Sequence, residues 1–244
     1  MTDKSSLTDN TIWHLSHSSN AIKIDGKLLI FDYCTAASDR PAGAGIEKGY
    51  IDCDELTNES VYVFSSHDHG DHFSRDILAW QDKIKNISYV LSFDIRPQPD
   101  GAICAEAGQE YQLDGIKVVT YPSTDEGVAF SVIVGGKHVY FAGDNAYWNW
   151  NRDKTEEWYI KEILAPIKAA GPVDIAFQVC DPRLEDRGAG GIYILARALN
   201  PNLLIPIHSF GTYGINAKAK QELTRLGFKN DFWCIEQAGQ QRSF

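Results

Sequence analysis

Apolar residues fall in short runs of strand length from the start of the chain. Thr11–Leu15, Ala21–Ile24 and Lys27–Phe31 read as strands, and Asp25-Gly26 between the last two is a strong hairpin signal. Val61–Phe64, Asn86–Leu91, Ile116–Tyr121, Val128–Val134 and Val139–Ala142 continue the series, with Gly135-Gly136 turning between the last two. Val173–Val179, Leu203–Ile207 and Phe232–Ile235 complete it. Helical spacing appears in Ser74–Lys85, Thr155–Ala169 (with Pro166 near its end), Ile192–Leu199 before Pro201, and Asn216–Leu226. Thr35–Gly49 holds three Gly and one Pro and reads as a loop. No repeat is evident at the level of sequence. Two mostly β halves, each with helices, predict helices packed outside two facing sheets.

Length and charge narrow the function classes. A chain of 244 residues can bury one sizeable core, so a single domain over 1–244 is expected. Lys and Arg number 23 against 33 acidic residues, a formal charge of −10, which disfavours nucleic acid and anionic membrane as partners. That leaves a small-molecule substrate; oligomeric state is open. The five cysteines are scattered without a CxxC pair, the pattern of free thiols in a reducing compartment. Met1–Asn10 is polar, and no long apolar stretch follows, so no signal peptide or membrane span is expected and the cytoplasm is the default location.

The candidate chemistry is concentrated in Ser65-Ser66-His67-Asp68-His69-Gly70-Asp71-His72, directly after the Val61–Phe64 run. A strand ending in a tight, Gly-containing turn can aim several side chains at one point. Imidazole suits zinc, and carboxylate widens the choice towards manganese or iron. Three more apolar runs end in polar, ligand-type residues: Val119–Tyr121 before Asp125, Val139–Phe141 before Asp144, and Leu203–Ile207 before His208. Four such ends suggest a shared functional rim.

With these residues in view, the chain resembles the metallo-β-lactamase-fold hydrolases. His67-x-His69-x-Asp71-His72 matches their HxHxDH motif in full, Ala142-Gly143-Asp144 their Gly-Asp segment, and Pro206-Ile207-His208 their last His. Leu29-Ile30-Phe31-Asp32 is similar to their early strand ending in Asp. The resemblance implies a four-layer αββα sandwich of two mixed β-sheets with helices on the outer faces. It further implies a metal-dependent hydrolase holding two divalent ions, Zn2+ first, with Mn2+ or Fe2+ as alternatives. Where the family has its middle His, this chain has Pro122-Ser123-Thr124-Asp125-Glu126-Gly127, and it looks like a branch with Ser-Thr-Asp-Glu-Gly there and Asp-Pro-Arg later.

By that resemblance His67, His69 and Asp125 hold one ion, Asp71, His72 and His208 hold the other, and Asp144 bridges them. Asp125 could instead cap a turn, and Glu126 is a further alternative as the ligand. A bridging hydroxide would then attack an ester, lactone or phosphodiester. Asp71 and Asp144 carry the catalytic role, and Asp68 either orients a His or shuttles a proton, or is simply solvated. His17 and Arg183 are candidate substrate contacts, Arg183 alternatively pairing with Asp181 or Glu185. Tyr147, Trp148 and Trp150 could wall a pocket or pack under a loop. His14 reads as structural, His138 as a surface residue, Cys180 as a core strand end. The Gly-rich Arg187–Gly191 opens a helix without a full phosphate-loop pattern. A second class of function is a non-catalytic ligand- or metal-sensing module on a degenerate metal site. A redox di-iron centre is a third, although no flavin domain is visible in the sequence.

Overall fold

In the computed structural model, which describes residues 6–148, 154–187 and 190–244, the apolar runs pair into two mixed seven-stranded sheets. The chain divides into two compact units: the residues up to Ala105 with Gln237–Phe244, and Glu106–Glu236. Each unit carries one sheet. In the first, β1 (Thr11–Ser16), β2 (Ser19–Ile24) and β3 (Lys27–Phe31) form an antiparallel meander. From β3 the sheet continues in parallel through β4 (Ser60–Ser65), β5 (Ile87–Ser92) and β6 (Ile103–Ala105). The late strand β14 (Gln241–Ser243) pairs antiparallel with β1 at the other edge.

The second sheet follows the same plan. β7 (Glu110–Leu113), β8 (Ile116–Pro122), β9 (Val128–Val134) and β10 (Lys137–Phe141) are antiparallel. β11 (Ile175–Val179), β12 (Leu203–Ile207) and β13 (Asp231–Phe232) then run parallel to β10. Each sheet thus reads as three antiparallel pairings followed by three parallel ones. The topology repeats although the sequence does not. Parallel strands need crossovers, so their C-terminal ends open into loops rather than hairpins. The candidate donors after β4, β10 and β12 lie in such loops.

The covering layers differ between the units. In the second, α1 (Glu156–Trp158), a π-helical stretch Tyr159–Leu164, α2 (Ala165–Ala169), α3 (Gly190–Leu199) and α4 (Gly214–Arg225) follow the expected helices. Ile163, Ile167, Leu195 and Leu223 pack with Tyr140, Ala142, Ala176 and Leu204 of the sheet. Each large aliphatic side chain so buried contributes about 1.5–3 kcal/mol. The wide π turn precedes Pro166, which has no N–H to give a carbonyl four residues back, so a regular α-helix cannot run through.

In the first unit the helix expected over Ser74–Lys85 forms as a 3-10 helix, Arg75–Asp82. Three residues per turn stack Ile77 directly under Trp80, and both are buried against Val63, Tyr89 and Leu91. Sequence reading missed β6, β7 and β14 and placed β13 too late; all four are short and lie at sheet edges. His138 is a correction: it is 5% exposed, with Nε2 at 2.7 Å from Ser131 Oγ and Nδ1 at 3.1 Å from the Pro172 carbonyl. His14 is buried against Asn20, and all five cysteines are free thiols. Burial pushes the Cys180 thiol up to about 12, which leaves it inert as a nucleophile.

Candidate metal centre

On the first unit, β4 ends at Ser65 and the chain turns at once into the His/Asp run. The backbone N–H groups of His72 and Phe73 both donate to the His69 carbonyl, at 2.9 and 2.8 Å, closing a tight turn. The turn gathers the rings: His67 lies 4.6 Å from His69 and 4.2 Å from His72, centroid to centroid. His67 and His72 are fully buried, whereas His69 is exposed and Asp71 half-buried.

Asp32 organises this turn from the end of the neighbouring strand β3. It takes a left-handed φ of 45° and is fully buried. Its Oδ1 accepts from the Ser66 N–H at 2.7 Å; its Oδ2 accepts from the Ser66 hydroxyl and from His72 Nδ1, each at 2.7 Å. Ser66 Oγ also lies 2.9 Å from His67 Nδ1. A carboxylate only accepts, so the His72 proton sits on Nδ1. Ser66, having given its proton to Asp32, accepts from His67 Nδ1–H. One carboxylate therefore leaves the Nε2 lone pairs of two imidazoles for a metal.

His17, at the tip of the β1–β2 hairpin, reaches the same turn. Its Nε2 is 3.5 Å from Asp71 Oδ2, and its ring centroid is 5.7 Å from that of His72. The His17 imidazole beside it holds the Asp71 carboxyl well below the usual carboxylate range, against the opposing effect of burial. Asp68 points elsewhere: it is paired with Arg75 at 3.1 Å, and its backbone N–H donates to Asp94 at 3.0 Å.

The second unit repeats the carboxylate–imidazole device. His208 follows β12 with a left-handed φ of 69° and is 1% exposed. Its Nδ1 is 3.0 Å from Asp181 Oδ2, at the end of β11, and its Nε2 is 3.1 Å from Asp144 Oδ1, beyond the end of β10. Arg183 clasps Asp181 through Nε and a terminal nitrogen, and its guanidinium lies 3.9 Å from the Phe210 ring centroid. Burial pushes Asp181 up, but bonds from His208 and Arg183 outweigh it and hold the group at about 2. Arg183 thus takes the Asp181 partnership, one of its two expected roles. Trp148 is 1% exposed, and its indole N–H donates to the Asp144 carbonyl at 2.9 Å, so it packs beneath the Asp144 loop.

Asp125 is exposed, its backbone N–H donating to Ser123 Oγ at 3.2 Å. Among the described residues it joins no group of three or more metal-type donors. Its neighbour Thr124 staples two loops together. The Thr124 Oγ1 donates to the Ala146 carbonyl at 2.7 Å and accepts from the Ala146 N–H at 2.8 Å. Trp150, Gly188 and Ala189 lie outside the described residues. The donors present, imidazole Nε2 and carboxylate oxygens with buried partners fixing their orientation, fit Zn2+, Mn2+ or Fe2+.

No family model matches the chain. It is similar to a UPF0173 metal-dependent hydrolase of Thermofilum pendens, 30% identical over 154 residues. That stretch takes in 60% of this chain and 61% of the relative, so less than two thirds of the relative's length is spanned. Among solved structures it resembles YhfI, a metallo-β-lactamase-fold protein from Bacillus subtilis, with a TM-score of 0.63 at 13% identity over 96% of this chain and 98% of that one. The fold is metallo-β-lactamase-like. Igni18, a metallo hydrolase from the hyperthermophilic archaeon Ignicoccus hospitalis, is similar too, with a TM-score of 0.67 at 18% identity over 96% of this chain and 97% of that one. In that fold the two mixed sheets bring His67–His72, Asp144 and His208 to the C-terminal ends of β4, β10 and β12.

Proposed function

We propose that the chain is a metal-dependent hydrolase that uses two divalent ions, Zn2+ or else Mn2+ or Fe2+, to cleave an ester, lactone or phosphodiester bond of a small molecule. The observation that carries this reading is the Asp32–Ser66 arrangement, which readies both His67 and His72 as metal donors through Nε2. His69 and Asp71 extend that set on the first unit; Asp144 and His208, with Asp181 behind the imidazole, supply the donors of the second. The similarity to a UPF0173 metal-dependent hydrolase supports the reaction class.

When bound, the divalent ions supply Lewis acidity, lowering the pKa of water and polarising the substrate's reacting oxygen. The chain's part is to fix the donors. Asp32 and Asp181 hold the Nδ1 protons of His72 and His208 and so raise the basicity of the opposite nitrogens. Trp148 and Thr124 steady the loop that carries Asp144. Among the described residues no helix is long and apolar enough to cross a membrane.

Elemental mass spectrometry of tag-free protein, beside a panel of ester, lactone and phosphodiester substrates, tests this. The expected result is about two ions per chain and turnover that is lost when Asp71 or Asp144 is replaced by Ala. Fewer than one ion after reconstitution, with no turnover across the panel, would overturn it. The sensing module would then be the better reading, favoured by the exposed Asp125.

A further inference from the structure

We propose that His17 is a metal ligand, and that with Asp71 and His72 it gives the first unit a three-donor cation site of its own. This rests on the metal-dependent reading above. Each of the three residues offers a ligand atom, and these atoms lie within 4.8 Å of one another. His17 Nε2 and Asp71 Oδ2 are 3.5 Å apart. A charge-assisted hydrogen bond between such groups closes to about 2.7–2.9 Å. Two donors about 2.1 Å from one tetrahedral centre stand about 3.4 Å apart. The separation is therefore close to that of two ligands on one tetrahedral ion.

The backbone supports the same conclusion. His17 and Ser18 form the turn between β1 and β2, and His17 adopts φ 40° while only 9% exposed. A two-residue hairpin turn favours Asn or Gly at such a position, and a bulky residue there costs about 1–2 kcal/mol. Strain of this kind persists where the surroundings over-determine it. Here they do. The β1–β2 register shifts between His14 and Ser16, a bulge that re-aims the tip. Gly49, at φ 84°, lies so close that a Cβ would come within 2.4 Å of the Leu15 carbonyl oxygen. The Gly239 N–H donates to the His14 carbonyl at 2.8 Å. The hairpin tip is clamped from behind, which presents His17 to Asp71 and His72.

The resulting set, two imidazoles and one carboxylate, suits Zn2+ and equally Fe2+ or Mn2+. It adds an imidazole to a chain that lacks one at 122–127 without recruiting the exposed Asp125. The test is Zn2+ and Co2+ titration of the full chain in three forms: wild type, His17→Asn and His17→Gln. Asn tolerates the left-handed turn, and Gln keeps an N–H donor for Asp71 but is a poor ligand. Both variants should lose affinity for one ion by more than the ~10–100-fold that loss of an outer partner costs. Their Co2+ ligand-field spectra should also change, with melting curves confirming that they fold. Wild-type metal content and spectrum in His17→Gln would make His17 only a hydrogen-bond partner of Asp71 and overturn the proposal, leaving the hydrolase reading intact. A wild type that binds no ion would remove both.

Discussion

Asp32→Asn keeps the shape of the side chain and reverses the polarity of one end. The amide oxygen must stay on the Ser66 N–H, because turning the amide over would set two donors against each other at 2.7 Å. The NH2 group then faces Ser66 Oγ and His72 Nδ1, where Oδ2 accepted two hydrogen bonds. His72 must carry its proton on Nε2. The Ser66 hydroxyl turns its own proton to His67 Nδ1, and that ring also shifts its proton to Nε2. Binding a metal requires each ring to shift back, losing a buried hydrogen bond and leaving a donor facing a donor, about 2 kcal/mol per imidazole. Metal affinity should fall by about 30-fold for each ion held by these rings. Competition with a chromophoric chelator reads the affinity, and long-range proton–nitrogen NMR correlations on the metal-free protein read the tautomers. Wild-type affinity, or Nδ1–H tautomers persisting on His67 and His72 in the variant, would refute the relay.

Burial holds the His14 pKa at about 4, below its ordinary 6.5, against the raising effect of Asn20. The unfolded chain takes up that proton first, so stability present above pH 6.5 should decline by about 3 kcal/mol as pH falls to 4. In metal-free protein, His14→Gln should flatten that decline in urea titrations, and identical slopes would count against it. Lys23 and Glu59 form a 2.7 Å pair with side chains 5% and 3% exposed. Lys23→Met should cost about 3–5 kcal/mol by stranding the carboxylate, and Lys23→Met with Glu59→Leu should recover most of it; equal losses in single and double variants would contradict this. Asp125→Ala should keep the wild-type metal content by elemental analysis, and loss of one ion would identify its side chain as a ligand.

The central strands were legible because continuous apolar runs of Val, Ile, Leu and Phe admit few other readings. The edge strands were not: β6, β7, β13 and β14 are short and owe their form to a neighbour rather than to their own pattern. At the site, HxHxDH announces its donors locally. Asp32 and Ser66 do not, because what they do depends on a contact between residues 34 positions apart. The strand-ending Phe31-Asp32 pair was the available signal, though it named no role. His17 was visible only as a loop His that could face the site. Its nearness to Asp71 is tertiary. His138 was misread because a hairpin beside Gly135-Gly136 resembles surface, whereas Ser131 and Pro172 enclose it. Arg183 had two readings, and only the fold could bring Asp181 under His208 as well.

The return of Gln237–Phe244 to the first unit is also a matter of timing. Glu106–Glu236 is continuous and can complete its sheet from its own segment, whereas β1 must wait for β14, its partner from the far end of the chain. Local pairings form early and distant ones late, and a chain leaves the ribosome in order. The strand that carries the His17 turn therefore gains its second neighbour only after every other strand has been made. Until then the hairpin tip lacks the Gly239 clamp on His14. A nascent first unit would have its His67–His72 turn long before its His17 is held in place, so the order of synthesis itself separates the making of the donors from the completion of their geometry.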